Sequence, residues 1–158
     1  MARNMIRAKQ QLTREECVEI LKNEKRGVLS VLGDDGYPYG MPLNHYYNEA
    51  DGRLYFHSGR LGHKIDALRA CGKASFCVLE EGRREEGGWA LRFRSVIVFG
   101  RVEFIEDRER VYAITAQLSR KFTDDEAYIA DEIRRSGPAT CMFALSPEQI
   151  TGKRVREA

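Results

Sequence analysis

The sequence lacks most of the features that mark a specialised class of protein. Its four cysteines, Cys17, Cys71, Cys77 and Cys141, show no CxxC spacing, so we expect reduced and mostly buried thiols and no disulfide framework. No apolar run approaches the length of a bilayer span, and the first residues lack the apolar core of a secretory signal. These absences predict a cytoplasmic protein that has no membrane partner.

Neither sign of charge is in excess. Lys and Arg together number 26 against 24 Asp and Glu, and the basic residues are interspersed with acidic ones. A nucleic-acid partner is therefore not favoured, because such a partner selects a basic patch or stripe. The 158 residues, 42% of them hydrophobic, suffice to bury one core. We expect a single domain over residues 1–158, with residues 1–12 as an N-terminal extension.

Motifs of the common catalytic and cofactor sites are also missing. No two of the three histidines, His45, His57 and His63, are spaced i, i+4, and no cluster of carboxylates or cysteines accompanies them, so no metal site is predicted. No GxGxxG follows a strand, and residues 59–64 (GRLGHK) lack the GxxxxGK[ST] spacing, which excludes Rossmann and P-loop sites. Ser58 lies at a strand-to-helix turn without the GxSxG context of a hydrolase.

The stretch from residue 54 to 71 has the outline of an anion site. Its sequence, LYFHSGRLGHKIDALRAC, begins as a strand, passes through a glycine loop and continues as an amphipathic helix. His63 and Lys64 fall in the first helical turn, where the helix dipole already places positive charge. Three interpretations account for these two potential cations. In the first, Asp66 offsets them; in the second, they point into solvent; in the third, a bound phosphate lies among the free backbone N–H groups. We favour the bound phosphate. The apolar helix face is predicted from Leu61, Ile65 and Leu68.

Strand patterns and turns follow one another in hairpin-like order. We predict strands near residues 27–33, 37–47, 54–56, 73–80, 91–105 and 140–145, with a short last one near 150–155. Helices are predicted near 13–24, 61–71, 107–121 and 123–137, with Gly27 ending the first. Capping-box patterns at Thr13–Glu16 and Thr123–Glu126 mark the starts of the first and the last. No βαβ alternation occurs. About six strands in this order indicate a mainly β (α+β) protein built on a small antiparallel barrel with peripheral α-helices.

Two strands carry patterns that point to a pocket and to a partner. Pro38 and Pro42 cannot donate hydrogen bonds to a ladder, so their strand is predicted to be a sheet edge at a pocket. Residues 96–99 (VIVF) are apolar on both alternating faces, which is typical of a strand covered on each side. We expect this strand to form both a barrel wall and a subunit contact in a homodimer, with Val98 facing outward.

The sequence resembles a known family in three segments. These are GVLSVLGDDGYPYGMPLNHYY, LYFHSGRLGHKIDALRACGKASFCV and SVIVFGRVEFIED, within a match of about residues 13–153. The family is that of the flavin-binding split-barrel proteins related to pyridoxamine 5′-phosphate oxidase, and in particular its nitroimidazole-resistance (5-nitroimidazole reductase) branch. The resemblance implies a six-stranded antiparallel Greek-key split barrel that holds FMN at a homodimer interface.

The resemblance also implies where the flavin is bound. The phosphate is held by residues at the positions of His57, Ser58, His63 and Lys64. The ring is contacted by the strand that matches Met41, Pro42, Leu43 and Asn44. The partner subunit approaches through the position of Ser95, with Arg94 beside it.

The function implied is an FMN-dependent reductase for a small aromatic or nitro compound, with His57 as the candidate for contacting the substrate or the ring. A flavin-binding module or sensor without turnover is the alternative from another class. A pyridoxamine phosphate oxidase is less favoured, because those enzymes carry an arginine where this chain has His63 and a substrate-binding tail where it ends in ITGKRVREA. The resemblance leaves open whether haem or the deazaflavin F420 replaces FMN.

Overall fold

A computed structural model describes residues 3–156 as eight strands and four α-helices. The strands are β1 (Arg26–Leu32), β2 (Pro38–Asn44), β3 (Tyr46–Asn48), β4 (Arg53–Ser58), β5 (Lys73–Leu79), β6 (Arg83–Arg84), β7 (Leu91–Ile105) and β8 (Cys141–Arg156). The helices are α1 (Arg14–Asn23), α2 (His63–Ala70), α3 (Arg108–Ser119) and α4 (Glu126–Ser136). Across this part of the chain, no helix is both long enough and apolar enough to cross a membrane.

The strands form one antiparallel sheet in the order β2-β1-β5-β7-β8-β4-β3, with β6 on β7. Its two ends approach each other, since β2 lies close to β4 without a ladder between them. The predicted antiparallel split barrel is thereby confirmed. The structure has more strands than the predicted six for two reasons. The predicted second strand is interrupted at His45, so that β2 pairs with β1 and β3 pairs with β4. In addition, the two-residue strand β6 was not predicted.

The barrel is filled by the inward side chains of its strands and closed by α1. Buried members of this core include Leu29, Phe56, Phe76, Val78, Val96, Val98, Phe143 and Leu145 from the strands and Cys17, Ile20 and Leu21 from α1. A smaller cluster under α3 joins Tyr55, Met142 and Ala144 of the sheet to Val111 and Ile114. Apolar area is buried on both faces of β4 and β8, and this burial stabilises the packing of these two strands against the barrel core and α3.

The helix starts largely follow the predicted caps. The Thr13 hydroxyl accepts from the N–H of Glu16, and the Glu16 carboxylate accepts from the N–H of Thr13, which forms the predicted capping box. The start of α4 differs from the prediction, because the carboxylate of Asp125, not the hydroxyl of Thr123, caps the helix by accepting from the Tyr128 N–H. Leu61 was wrongly predicted on the α2 face, since it precedes the helix and is 90% exposed.

Two strands differ from their predicted bounds. Gly27 does not end α1 but lies within β1, where a Cβ would come within 2.4 Å of the Cys77 carbonyl oxygen on β5. The two predicted C-terminal strands are one strand, β8, which passes Pro147 through an irregularity opposite Gly100. A bulge leaves one residue out of the hydrogen-bonded ladder. A proline at such a position therefore removes no ladder hydrogen bond, although it has no N–H.

The central strand β7 has the predicted bounds, but one of its faces was assigned wrongly. Val96 and Val98 are fully buried in the barrel, whereas Ile97 is 39% and Phe99 is 49% exposed. The outward set is therefore Ile97 and Phe99, and the expectation that Val98 faces outward is wrong. Alternation along a strand separates the two sets, and packing against the barrel core decides which set is buried.

Candidate functional site

A cleft of about 420 Å³ lies on the outside of the barrel where β2 and β4 approach each other. It is lined by Arg26, Pro42, Leu43, Asn44 and His57. The structure therefore brings the predicted ring-contact strand and the predicted substrate-contact histidine to one place. Met41, also predicted there, is buried in the barrel core, so its backbone alone can face the cleft.

The open edge of β2 forms one side of this cleft. The strand pairs with β1 along one side only, as the two prolines predicted. Alternate backbone N–H and C=O groups of an edge strand face away from its ladder, which leaves them available to a ligand. Arg26 was missed by sequence reasoning; its Nε donates to Oδ1 of Asn44 over 3.2 Å, and this contact depends on a cross-strand register that no motif reveals.

The start of α2 lies after the end of β4, beyond His57 and Ser58. Gly62 occupies the N-cap with φ +121° and has no side chain to cap the helix. The N–H groups of His63 and Lys64 have no partner within the helix, so this end can bind an anion, whereas the Ile65 N–H donates to the Gly62 carbonyl oxygen over 2.9 Å. His63 and Lys64 are the first two residues of α2, as predicted. The Ser58 hydroxyl donates to the Gly59 carbonyl oxygen over 2.9 Å.

The two basic side chains of this turn have different surroundings. The His63 ring stacks on Tyr39 with centroids 4.2 Å apart, and its Nε2 lies 3.6 Å from Oδ2 of Asp34 in the β1–β2 turn. Lys64 makes no ion pair with any carboxylate in residues 3–156. His63 is thus positioned by the neighbouring hairpin, and Lys64 carries the charge that a ligand would meet.

His57 is electrostatically coupled to that lysine. Desolvation in the cleft lowers the pKa of His57 below its ordinary value, and the positive charge of Lys64 lowers it further. The imidazole is therefore neutral at pH 7, with one ring nitrogen able to donate a hydrogen bond and the other able to accept one.

His45 does not belong to this site. It is fully buried, and its Nε2 donates to the carbonyl oxygen of Leu21 over 2.7 Å. Burial, with the nearby Lys121 cation, lowers the pKa of His45 to about 3. The Lys121 ammonium donates to the carbonyl oxygens of Glu24 and His45, and burial lowers its own pKa to about 8. Within residues 3–156, no three His, Cys, Asp or Glu side chains form a group that could hold a metal ion.

Arg94 and Ser95, both predicted at the partner contact, point to opposite faces of β7. The Arg94 guanidinium is bound by Glu80, with Nε 3.0 Å from Oε1, and its Nη1 lies 3.5 Å from Glu19. Hydrogen bonds from Arg94 lower the pKa of Glu80. Ser95 shares the outward face with Ile97. Of the two residues, Ser95 is the one that faces away from the barrel.

The comparisons with known proteins agree with this fold. The sequence model of the pyridoxamine 5′-phosphate oxidase family matches residues 13–154. The chain therefore belongs to this family of flavin-binding split barrels, as the resemblance predicted. Among curated proteins, none matches the chain.

Solved structures share the fold over nearly the whole chain. A proposed 5-nitroimidazole antibiotic resistance protein from Bacteroides thetaiotaomicron is 23% identical with a TM-score of 0.79, over 92% of this chain and 87% of that one. A FAD-binding protein from Mesorhizobium loti is 26% identical with a TM-score of 0.65, over 92% of this chain and 97% of that one. A FAD- and haem-binding protein from Mycobacterium smegmatis is 21% identical with a TM-score of 0.71, over 91% of this chain and 72% of that one.

Proposed function

We propose that the protein binds FMN at a homodimer interface and works as an oxidoreductase that reduces a small aromatic or nitro compound. The observation that carries the proposal is the cleft between β2 and β4, which joins the open strand edge, a neutral histidine and, beyond the end of β4, an uncapped helix start. The three parts correspond to the needs of a flavin ring, a substrate contact and a phosphate.

The phosphate is assigned to the start of α2. Its free N–H groups and the ammonium of Lys64 are the groups that a terminal phosphate monoester needs. The Ser58 hydroxyl can join them by exchanging its bond to the Gly59 carbonyl oxygen for one to the phosphate. His63 adds positive charge when it is protonated, but the Asp34 carboxylate would then compete with the phosphate for this charge. One such turn accounts for one phosphate, which favours FMN over a dinucleotide.

The flavin ring is assigned to the outer edge of β2, along Met41, Pro42, Leu43 and Asn44. When bound, the flavin supplies the redox chemistry, so the chain has to bind, orient and cover it. Backbone groups of the open edge can hydrogen-bond the polar rim of a flat ring, and Pro42 presents an apolar surface without an N–H. His57, neutral at pH 7, can hold a substrate or a proton at the opposite side of the cleft.

The homodimer is assigned to the outward face of the sheet. Val28, Cys77 and Ile97 lie side by side in register on β1, β5 and β7, and all three are exposed, as are Leu79 and Phe99. An apolar row of this kind on a soluble protein is normally covered by a partner. A twofold contact along the row would bring Ser95 of one subunit towards the cleft of the other, because the row continues to Pro42 on β2.

The test is the absorbance spectrum of the purified protein, followed by mass spectrometry of the released chromophore. We expect flavin bands and the mass of FMN. FAD, haem, F420 or no chromophore after reconstitution would contradict the assignment of one phosphate and one flavin. Oxidation of NAD(P)H with nitroaromatic acceptors then separates an enzyme from a flavin-binding module, which would hold FMN without turnover.

A further inference from the structure

A second, smaller cleft lies among the start of α3, the end of α2 and the beginning of β8. Its volume is about 70 Å³, and three arginines line it, Arg60, Arg69 and Arg108. Its remaining lining residues include Phe104, Glu106, Thr140 and Cys141. The site is distinct from the flavin cleft, since none of these residues lines the space between β2 and β4. At roughly 30 Å³ for each water molecule, its volume suits a small ion and excludes a nucleotide.

The guanidinium groups in this cleft are positioned by carbonyl oxygens and an aromatic ring. Arg60 donates to the Pro138 carbonyl over 2.7 Å, and Arg108 donates to the carbonyls of Thr140, over 3.1 Å, and Gly137. The Arg69 guanidinium lies 4.6 Å from the centroid of the Phe104 ring. Each guanidinium has five N–H donors, so all three keep donors free.

The three arginines of this cluster make no ion pair with a carboxylate within residues 3–156. Several other arginines of the barrel do, as Arg94 does with Glu80 and Arg110 does with Asp51. The Glu106 carboxylate also lines the cleft and offsets part of the positive charge there.

The charges also converge on one side chain. Burial raises the pKa of the Cys141 thiol, and the positive charges of Arg69, Arg60 and Arg108 oppose this rise, while Glu106 adds to it. The three guanidinium groups, Glu106 and this half-buried sulfur line the same cleft. An anion in the cleft would be attracted by the three cations and repelled by Glu106.

We propose that this cleft binds a small tetrahedral oxyanion with two negative charges, either free phosphate or the phosphate end of a small monoester. Three planar guanidinium groups in fixed orientations match the several oxygens of such an anion, and charge-assisted hydrogen bonds of this kind are the strong ones. The start of α3, which contributes Arg108, is already capped by the Asp107 carboxylate, so the attraction for the anion comes from the guanidinium groups themselves.

The experiment is isothermal titration of the full chain with inorganic phosphate and, separately, with methyl phosphate, in chloride buffer at matched ionic strength. We expect saturable binding with a Kd of about 1 mM or tighter. Arg69→Gln should raise that Kd at least about tenfold, on the scale of one charge-assisted hydrogen bond. Arg69 donates no hydrogen bond to the turn at 137–140, so its loss leaves that turn intact.

A control variant and a preloaded sample separate this cleft from the rest of the surface. Arg101→Gln, which alters an exposed arginine paired with Glu148, should leave the Kd unchanged. Titration of protein saturated with FMN, which occupies the proposed flavin phosphate site, should give the same Kd. Arg60→Gln should weaken binding as Arg69→Gln does. Binding of methyl phosphate alongside phosphate supports an ester ligand, and binding of phosphate alone supports the free ion. No saturable binding to the wild type, or an unchanged Kd in Arg69→Gln, would overturn the proposal.

Discussion

The Nε2 atom of His45 lies 2.7 Å from the carbonyl oxygen of Leu21, and this hydrogen bond joins the break between β2 and β3 to α1. The ring also packs edge-on against Phe76, with centroids 4.9 Å apart. Its other nitrogen, Nδ1, has no partner within the described part of the chain. A protonated His45 would therefore bury a charge beside the Lys121 cation.

Acid should destabilise the fold through His45. Its folded pKa of about 3 lies below the ordinary 6.5, so the unfolded chain binds more protons between these values and stability falls as pH drops from about 6.5 towards 3. The full difference is worth roughly 4–5 kcal/mol. Urea unfolding at pH 7, 6, 5 and 4 measures the part of this loss that falls above pH 4, and His45→Gln should flatten the pH dependence. An equal slope in the variant would show that other groups cause the acid loss.

Lys64→Ala should weaken FMN binding by about ten- to hundredfold, the scale of a hydrogen bond to a charged group. The lysine makes no ion pair within residues 3–156, so folding should survive its removal. Fluorescence titration of the apoprotein with FMN measures the affinity. Lys73→Ala, which alters an exposed lysine on β5, is the matched control. Equal affinities in both variants would place Lys64 in solvent.

His57→Ala should lower kcat/KM for a nitroaromatic substrate by about tenfold, because a neutral imidazole that contacts the substrate or the ring contributes about one hydrogen bond. Rates are compared per bound flavin, so that a change in flavin content does not enter. A variant with full activity and a lower midpoint of thermal unfolding would show that His57 only stabilises the barrel wall.

Ile97→Glu should separate the subunits and release the flavin together. The side chain is 39% exposed on the outward face of β7, and a carboxylate buried there by a partner would weaken association by at least about 3 kcal/mol, roughly a hundredfold. Light scattering and flavin absorbance on the same sample measure both effects.

Two further substitutions make this result specific to the outward sheet face. Tyr128→Glu introduces the same charge at an exposed aromatic residue of α4 and should change neither property. Val98→Glu places the carboxylate in the barrel core and should unfold the protein. A monomeric Ile97→Glu variant with full flavin occupancy would contradict a site shared between subunits.

The ion pair between Arg94 and Glu80 is a feature of the structure that the sequence did not predict. Arg94, predicted at the cofactor beside Ser95, lies on the opposite face of β7 from Ser95 and binds Glu80, which is 14 residues away in the chain. Ion pairs of this kind depend on which strands are neighbours. The register of β5 on β7 brings the two residues together, and no local pattern encodes that register.

Local patterns determined the elements of this protein and the start of α2. Capping groups around Thr13 and Asp107, proline at the edge strand β2 and alternation in β7 act over a few residues, so they can be recognised in the sequence. The tertiary structure decided that Ile97 and not Val98 faces outward, that β8 is one strand, and that three arginines from separate elements share a cleft. These outcomes depend on contacts between residues far apart in the chain, whose energies are set by burial and by strand register.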